Sequence, residues 1–242
     1  MIVTMTNGTV SDAIEIVRYF AGEKVHYNPI KLCEQLGIEV ITNKMLNKDG
    51  YLVCGDGLKM VWVSSKIQNK HRQEFVVAHE VGHFLMHQEQ MHCCSNISIA
   101  PTTKVGSSRQ EREANSFATE LLMPANVLAP LLPNGSLCFS DISRIADFFD
   151  VSMSHAAIKC IQNSKAENEI LLCYDAGKLK WAIAKEQRWL HNKLPVCAPM
   201  DFANITRPLW VKGVWDSVYK GSVYKKYFIR MEINRWCSYP GI

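Results

Sequence analysis

Apolar side chains near the start of the chain recur at the spacing of a helix. The pattern predicts a first helix that is capped by Ser11 and Asp12 and runs to about Phe20. A second, shorter helix is predicted over residues 30–36, because Gly37 follows directly and is a common helix stop. The chain is therefore expected to begin with two helices.

Three short apolar runs follow, at residues 38–42, 51–54 and 58–63. Each has the length and composition of a strand, and the glycines Gly55 and Gly57 mark a hairpin turn between the last two. We predict a small antiparallel sheet from these runs. The last of the three strands is also expected to offer its edge to an extended substrate.

Longer helices are predicted further along the chain. Residues 71–87 are apolar around most of the helical circumference, which is typical of a buried helix. Residues 88–108 are polar and irregular, and they predict a long loop. Helix resumes at about residue 108 and is expected to end at Pro124.

The buried helix contains the sequence His79-Glu80-Val81-Gly82-His83, an H-E-x-x-H motif. Residues four apart lie on one face of a helix, so His79 and His83 can present ring nitrogens to one metal ion. Glu80 borders the same face, where it can reach a metal-bound water. Since two imidazoles and a carboxylate are costly to bury among apolar side chains, we interpret the cluster as a metal site.

A catalytic zinc site usually takes three protein ligands and leaves a fourth position open. The next predicted helix offers two carboxylates, Glu111 and Glu113. Glu111 shares a mostly small, apolar face with Asn115, whereas Glu113 is turned about 200° away, toward solvent with Arg112 and Glu120. We predict Glu111 as the third ligand, with Glu113 as the alternative, and Asn115 as a hydrogen-bond partner of a ligand.

The two motifs together resemble those of a known family. HEVGH, followed after a loop by EREANSFATELLMP, is similar to the ImmA/IrrE family of metallopeptidases, whose pattern E-x-x-A-N-x-F-A…L-L-M-P begins here at Glu111. The resemblance covers residues 10–125 and weakens after residue 165. It implies one Zn²⁺ per chain, held by His79, His83 and Glu111, although the same donors accept other divalent metals.

The resemblance also implies a function. Members of the family are endopeptidases that cut a helix-turn-helix repressor at one site, which relieves repression of a mobile element or of stress-response genes. Glu80 would take a proton from the attacking water and deliver it to the leaving amine. The sequence does not assign a second donor to the oxyanion; Tyr51, His87 and His155 are candidates by residue type only, and we interpret each of them as structural.

Three parts are expected within an α+β protein. Residues 1–130 would form a zincin-like peptidase domain, in which the small sheet is combined with the H-E-x-x-H helix and the second ligand helix. Residues 131–165 would form a helical pair with the outline of a helix-turn-helix, which we interpret as structural because its second helix carries little positive charge. Residues 166–242 would form a small β-rich module, with a hairpin of strands at residues 170–174 and 179–184 and further strands at residues 209–214 and 227–233.

Charge and tryptophan are unevenly distributed along the chain. Residues 171–242 carry 12 Lys and Arg against 5 Asp and Glu, together with five of the six tryptophans. Such a module can bind nucleic acid, but we favour an ordinary β domain because it contains no recognised nucleic-acid motif. The alternative function is a metal-stabilised DNA- or protein-binding regulator without proteolytic activity.

Composition excludes several other classes of protein. The 242 residues are 48% hydrophobic and 21% charged, which is typical of a globular protein rather than a disordered one. No apolar run is long enough to span a membrane, and Asp12, Glu15 and Arg18 interrupt any signal peptide. We expect a cytoplasmic protein with reduced thiols; the adjacent Cys93 and Cys94 are a less favoured place for a metal.

Overall fold

A computed structural model of the chain describes residues 8–44, 48–55, 57–87, 92–94, 108–135, 137, 139–165, 169–175, 178–184 and 227–232. The protein is an α+β protein, as predicted. Its chain divides into two compact units. The first unit comprises Met1–Val127 with Phe149–Ser152, and the second comprises Leu128–Phe148 with Met153–Ile242.

Two helices open the first unit, α1 (Val10–Ala21) and α2 (Pro29–Leu36). Thr9 caps α1: its hydroxyl accepts a hydrogen bond from the backbone N–H of Asp12, whose carboxylate accepts one from the N–H of Thr9. The prediction of a cap at Ser11 and Asp12 was therefore wrong, because in this capping box the acidic residue lies three positions inside the helix. The prediction for α2 is confirmed, since it ends at Gly37 in the left-handed conformation, with φ 68°.

The sheet of the first unit has four strands: β1 (Glu39–Asn43), β2 (Gly50–Gly55), β3 (Leu58–Ser64) and β4 (His92–Cys94). They follow the order β1-β3-β2-β4. β3 pairs antiparallel with β2 but parallel with β1, so the prediction of an antiparallel sheet was wrong. Alternation of apolar and polar residues sets the face that each side chain takes, but it does not set the direction of the neighbouring strand. β4 lies within the segment predicted as loop, and it pairs antiparallel with β2.

The buried helix of the first unit is α3 (Lys70–Met86). All of its residues from Glu74 to Met86 are buried, which confirms the prediction from the apolar pattern. It packs against β2, β3 and α4 (Arg109–Leu122). α4 ends just before Pro124, as predicted. Both helices that carry the candidate ligands lie within the first unit.

A short helix, α5 (Ala125–Leu128), follows α4. The second unit contains the predicted helical pair, α6 (Phe139–Phe149) and α7 (Met153–Asn163), and a three-stranded sheet. In that sheet β5 (Glu169–Asp175) pairs antiparallel with β6 (Lys178–Ala184) and parallel with β7 (Tyr227–Glu232). A further strand predicted at residues 209–214 lies outside the described residues.

Among the described residues, no helix combines the length and the apolar character that a membrane span needs. Cys33 and Cys54 are free thiols. Burial raises the pKa of the Cys33 thiol to about 12, so this side chain is neutral at physiological pH.

Candidate metal centre

Helix α3 brings two histidine rings together in the interior of the first unit. His79 and His83 are both fully buried, and their Nε2 atoms lie 3.1 Å apart. The four-residue spacing of the motif places both rings on one face of the helix. Two nitrogen atoms thus approach one point.

Helix α4 adds the carboxylate of Glu111 at the same point. Its Oε2 lies 3.5 Å from Nε2 of His79, and its Oε1 lies 3.3 Å from Nε2 of His83. Hydrogen bonds with His79 and then with His83 hold the pKa of Glu111 well below its ordinary value. One donor atom from each of the three residues lies within 4.8 Å of the other two.

This donor set fits a divalent metal ion. Two imidazole nitrogens and a carboxylate oxygen suit Zn²⁺, and three protein donors leave the fourth tetrahedral position open, as in catalytic zinc sites. The burial of both rings argues in the same direction, because clustered polar groups are costly in an interior without a shared partner.

Asn115 contacts the ring of His79. Its Oδ1 lies 3.0 Å from Nδ1 of His79. An amide oxygen only accepts hydrogen bonds, so a neutral His79 holds its proton on Nδ1 and leaves the lone pair of Nε2 for a metal. The structure thus brings Asn115 into contact with a candidate ligand, where the sequence analysis expected it.

The glycine inside the motif, Gly82, lets α3 and α4 approach closely. A Cβ atom at this position would lie 3.0 Å from Cδ1 of Phe117 and 3.2 Å from Cα of Ala114. A side chain there would push against the backbone of α4. The absence of one keeps Glu111 within reach of both histidines.

Glu80 is fully buried and lies against the sheet. A Cβ atom built at Gly50 of β2 would lie 2.7 Å from Oε1 of Glu80. The carboxylate therefore occupies space that only a glycine on β2 leaves open. Gly50 thus lies directly against the side chain of Glu80.

Residues 33–160, more than half of the chain, match the peptidase M78 family, described as the IrrE N-terminal-like domain. The chain belongs to this family. It is similar to Metallopeptidase ImmA of Bacillus subtilis (strain 168), with 26% identity over 106 residues. The matched segment makes up 44% of this chain and 60% of that protein, so the chain spans less than two thirds of its relative's length. The resemblance to the ImmA/IrrE family is confirmed.

Glu113, the alternative candidate for the third ligand, does not lie where the sequence predicted it. It was expected to face solvent with Arg112 and Glu120, but its Oε2 lies 3.0 Å from Nε2 of His87, and its Oε1 accepts a hydrogen bond from Nε of Arg109 at 2.7 Å. These bonds, the one with Arg109 first, hold the pKa of Glu113 below its ordinary value. The prediction was wrong because it considered the faces of α4 alone and left out the end of α3.

His87 was a candidate oxyanion donor by residue type only, with a structural role favoured, and its contacts in the structure agree with the structural role. Its Nδ1 lies 3.1 Å from Nδ1 of His83, and its Nε2 faces Glu113, so both ring nitrogens are engaged. Tyr51 lies half-buried on β2, and His155 is buried on α7 of the second unit. A role for either of these two at the oxyanion stays a prediction.

The prediction that β3 offers its edge to an extended substrate was also wrong. β1 and β2 pair with the two sides of β3, which leaves it no open edge. An apolar run shows that a strand is buried, but it does not show where the strand lies in its sheet. The less favoured metal ligands Cys93 and Cys94 lie on β4, and a site there stays a prediction.

Two contacts at the site were not predicted from the sequence: the one between Gly50 and Glu80, and the one between His87 and Glu113. His87 follows His83 by four residues and thus repeats the spacing of the motif, which is a signal for a third ring on the same face. Gly50 carries no comparable signal, because its neighbour Glu80 comes from another element.

Proposed function

We propose that this chain is a cytoplasmic, zinc-dependent endopeptidase that cleaves a helix-turn-helix transcriptional repressor at one site and so acts as an antirepressor. The observation that carries the proposal is the convergence of His79, His83 and Glu111, with the buried Glu80 next to His79 in the chain. Membership of a metallopeptidase family, and similarity to a relative named as a metallopeptidase, support the same class of reaction.

The side chains have separate roles in this proposal. His79, His83 and Glu111 would hold Zn²⁺, which when bound supplies a Lewis acid for the scissile carbonyl and makes water a stronger acid. Glu80 takes a proton from the attacking water and delivers it to the nitrogen of the leaving amine. Asn115 keeps the proton of His79 on Nδ1, away from the metal-facing nitrogen.

Incubation with a panel of helix-turn-helix repressors from the source organism tests the proposal. The wild type should convert one repressor into a single pair of fragments, detected by mass spectrometry. Glu80→Gln should cleave none while it keeps its zinc, because an amide cannot take up the proton. Glu15→Gln, the same change at an exposed position of α1, should cleave like the wild type.

Elemental analysis separates binding from chemistry in the same experiment. One zinc per chain is expected in the wild type and in Glu80→Gln, with marked loss in His79→Ala and Glu111→Ala. Equal cleavage by the wild type and Glu80→Gln would contradict the proposed role of Glu80. Zinc binding without cleavage of any repressor would favour the metal-stabilised regulator instead.

A further inference from the structure

Three side chains form a continuous row of hydrogen bonds that begins at His83 and leads away from the metal centre. Nδ1 of His83 lies 3.1 Å from Nδ1 of His87, and Nε2 of His87 lies 3.0 Å from Oε2 of Glu113. At the outer end, Nε of Arg109 donates to the other carboxylate oxygen of Glu113, at 2.7 Å. The His83–His87–Glu113 row thus connects α3 with α4.

Solvent exposure falls along the row from its outer end to the metal centre. The side chain of Arg109 is 84% exposed, that of Glu113 27%, that of His87 5% and that of His83 0%. The hydrogen bond between the rings of His83 and His87 is therefore shielded from water. In such a place the partners of each ring, rather than solvent, decide which nitrogen carries the proton.

The direction of each hydrogen bond follows from the outer end. A carboxylate only accepts, so a neutral His87 carries its proton on Nε2 and donates it to Glu113. Nδ1 of His87 then has only a lone pair, and Nδ1 of His83 must be the donor between the two rings. The proton of His83 is thereby held on Nδ1, and the lone pair of Nε2 is left facing His79 and Glu111.

We infer that His87 and Glu113 are positioning residues that set the tautomer of His83 and so prepare its Nε2 to bind a divalent metal ion. This inference rests on the proposed metal site. It assigns to Glu113 a role distinct from that of Glu111, although the two carboxylates are only two residues apart. Asn115 does the same for His79, so α4 supplies one ligand, the group that orients His79, and the carboxylate that acts on His83 through His87 at the end of α3.

A purely structural role for the same contacts would be to fasten the end of α3 to α4. The two roles predict different results. A structural contact contributes to the stability of the metal-free protein, whereas a positioning contact changes the affinity for metal beyond any change in stability. Outer partners of metal-binding histidines typically account for about 10- to 100-fold in metal affinity.

Competition between the full-length protein and a chromogenic chelator for Zn²⁺ measures this affinity. Glu113→Gln and His87→Leu should each weaken zinc binding by about 10- to 100-fold. The amide of Gln can donate to Nε2 of His87 and so reverse the direction of the hydrogen bonds in the row. Leu removes the nitrogen that accepts from Nδ1 of His83. His87→Asn should recover most of the affinity, since its amide oxygen can accept from Nδ1 of His83. Glu15→Gln serves as the control for removal of a carboxylate.

The melting temperature of each metal-free variant, measured alongside, separates the two roles. Weaker zinc binding by Glu113→Gln with an unchanged metal-free melting temperature is the expected result. Unchanged zinc affinity in both Glu113→Gln and His87→Leu would overturn the inference, whatever happens to their melting temperatures. If the wild type itself binds no zinc, the proposed function fails first, and the two failures are thus distinguishable.

Nitrogen-15 spectra of the histidine rings in the zinc-loaded wild type give a direct readout of the protons. His87 should appear with its proton on Nε2, and His83 with its proton on Nδ1. A proton on Nδ1 of His87 would mean that this ring donates to His83, and it would overturn the inference even if zinc binding were affected.

Discussion

Gly50 of β2 lies opposite the carboxylate of Glu80, and the space between them is smaller than a methyl group requires. A Cβ atom at residue 50 would lie 2.7 Å from Oε1 of Glu80 and 2.6 Å from Cγ1 of Val76. Both side chains are fully buried, but the β-branched Val76 is stiff at its first torsion, whereas the longer Glu80 has more rotatable bonds. The Glu80 side chain would have to shift.

We therefore predict that Gly50→Ala impairs catalysis more than metal binding. A displaced general base reduces kcat on the order of 100-fold, while zinc affinity stays close to that of the wild type because β2 supplies none of the proposed ligands. Steady-state cleavage and chelator competition measure the two quantities. Gly135→Ala, where an added Cβ meets nothing within 4 Å, is the control. A parallel loss of zinc and activity would contradict this prediction.

The contacts of single residues could be predicted only where they follow from one helix. The approach of His79 to His83 depends on spacing within α3, and the facing of Glu111 depends on rotation within α4, so both could be worked out from the sequence. The contact of Glu113 with His87 depends on where the last turn of α3 passes α4. No pattern within either helix contains that information.

At the scale of elements, the crossing of α3 and α4 is set by Gly82 against Ala114 and Phe117. The crossing determines whether ligands from two helices meet. Because the backbone Cα of Ala114 is among the nearest atoms, at 3.2 Å, rotation of the Phe117 side chain alone cannot make room for a larger residue.

Gly82→Ala should therefore separate the two helices slightly. We expect a loss of about 1–3 kcal/mol in the free energy of unfolding of the metal-free protein, the usual cost of overpacking. Zinc affinity should fall as well, since His83 lies on α3 and Glu111 on α4, and a wider separation of these helices moves the two proposed ligands apart. Urea denaturation and chelator competition measure these effects, with Gly135→Ala as the control again. A variant as stable as the wild type that binds zinc normally would show that the helices can adjust freely.

Most elements of the first unit lie close to their predicted bounds, but the arrangement of the strands differs. The apolar runs identify β1, β2 and β3, and the glycines between β2 and β3 identify their hairpin. The parallel pairing of β1 with β3 depends on the arrangement of the whole sheet. The direction of β1 follows from the position in which α2 ends, and the pattern of apolar residues in β1 does not show that position.

At the scale of the whole molecule, all three proposed zinc donors belong to the first unit. A ligand that binds only the folded state stabilises it by about 2.7 kcal/mol when its free concentration is 100-fold above Kd. Removal of zinc with a chelator should therefore lower the melting temperature of the first unit in calorimetry. Glu111→Ala should melt at the same temperature with and without chelator; an equal effect of the chelator on that variant would place the zinc elsewhere.

The role of the basic C-terminal part belongs to the same scale and is the least accessible from sequence. Composition reveals excess positive charge and tryptophan in residues 171–242, but a function depends on which of these side chains share a surface. Periodicity predicted the hairpin of β5 and β6, because a hairpin is local. Nucleic-acid binding by this part is the less favoured alternative to an ordinary β domain, and a gel-shift titration against salt would test it.

The order of strands in the first sheet also has a consequence for motion. Among the described strands, β3 is hydrogen-bonded to a neighbour on each side, whereas β1 lies at one end of the sheet and pairs with β3 alone. Its residues are half-buried or exposed, while β3 carries the buried Val61 and Val63. Local opening should therefore begin at β1, and its amide hydrogens should exchange with deuterium faster than those of β3. Equal protection of both strands would mean that the sheet opens only as a whole.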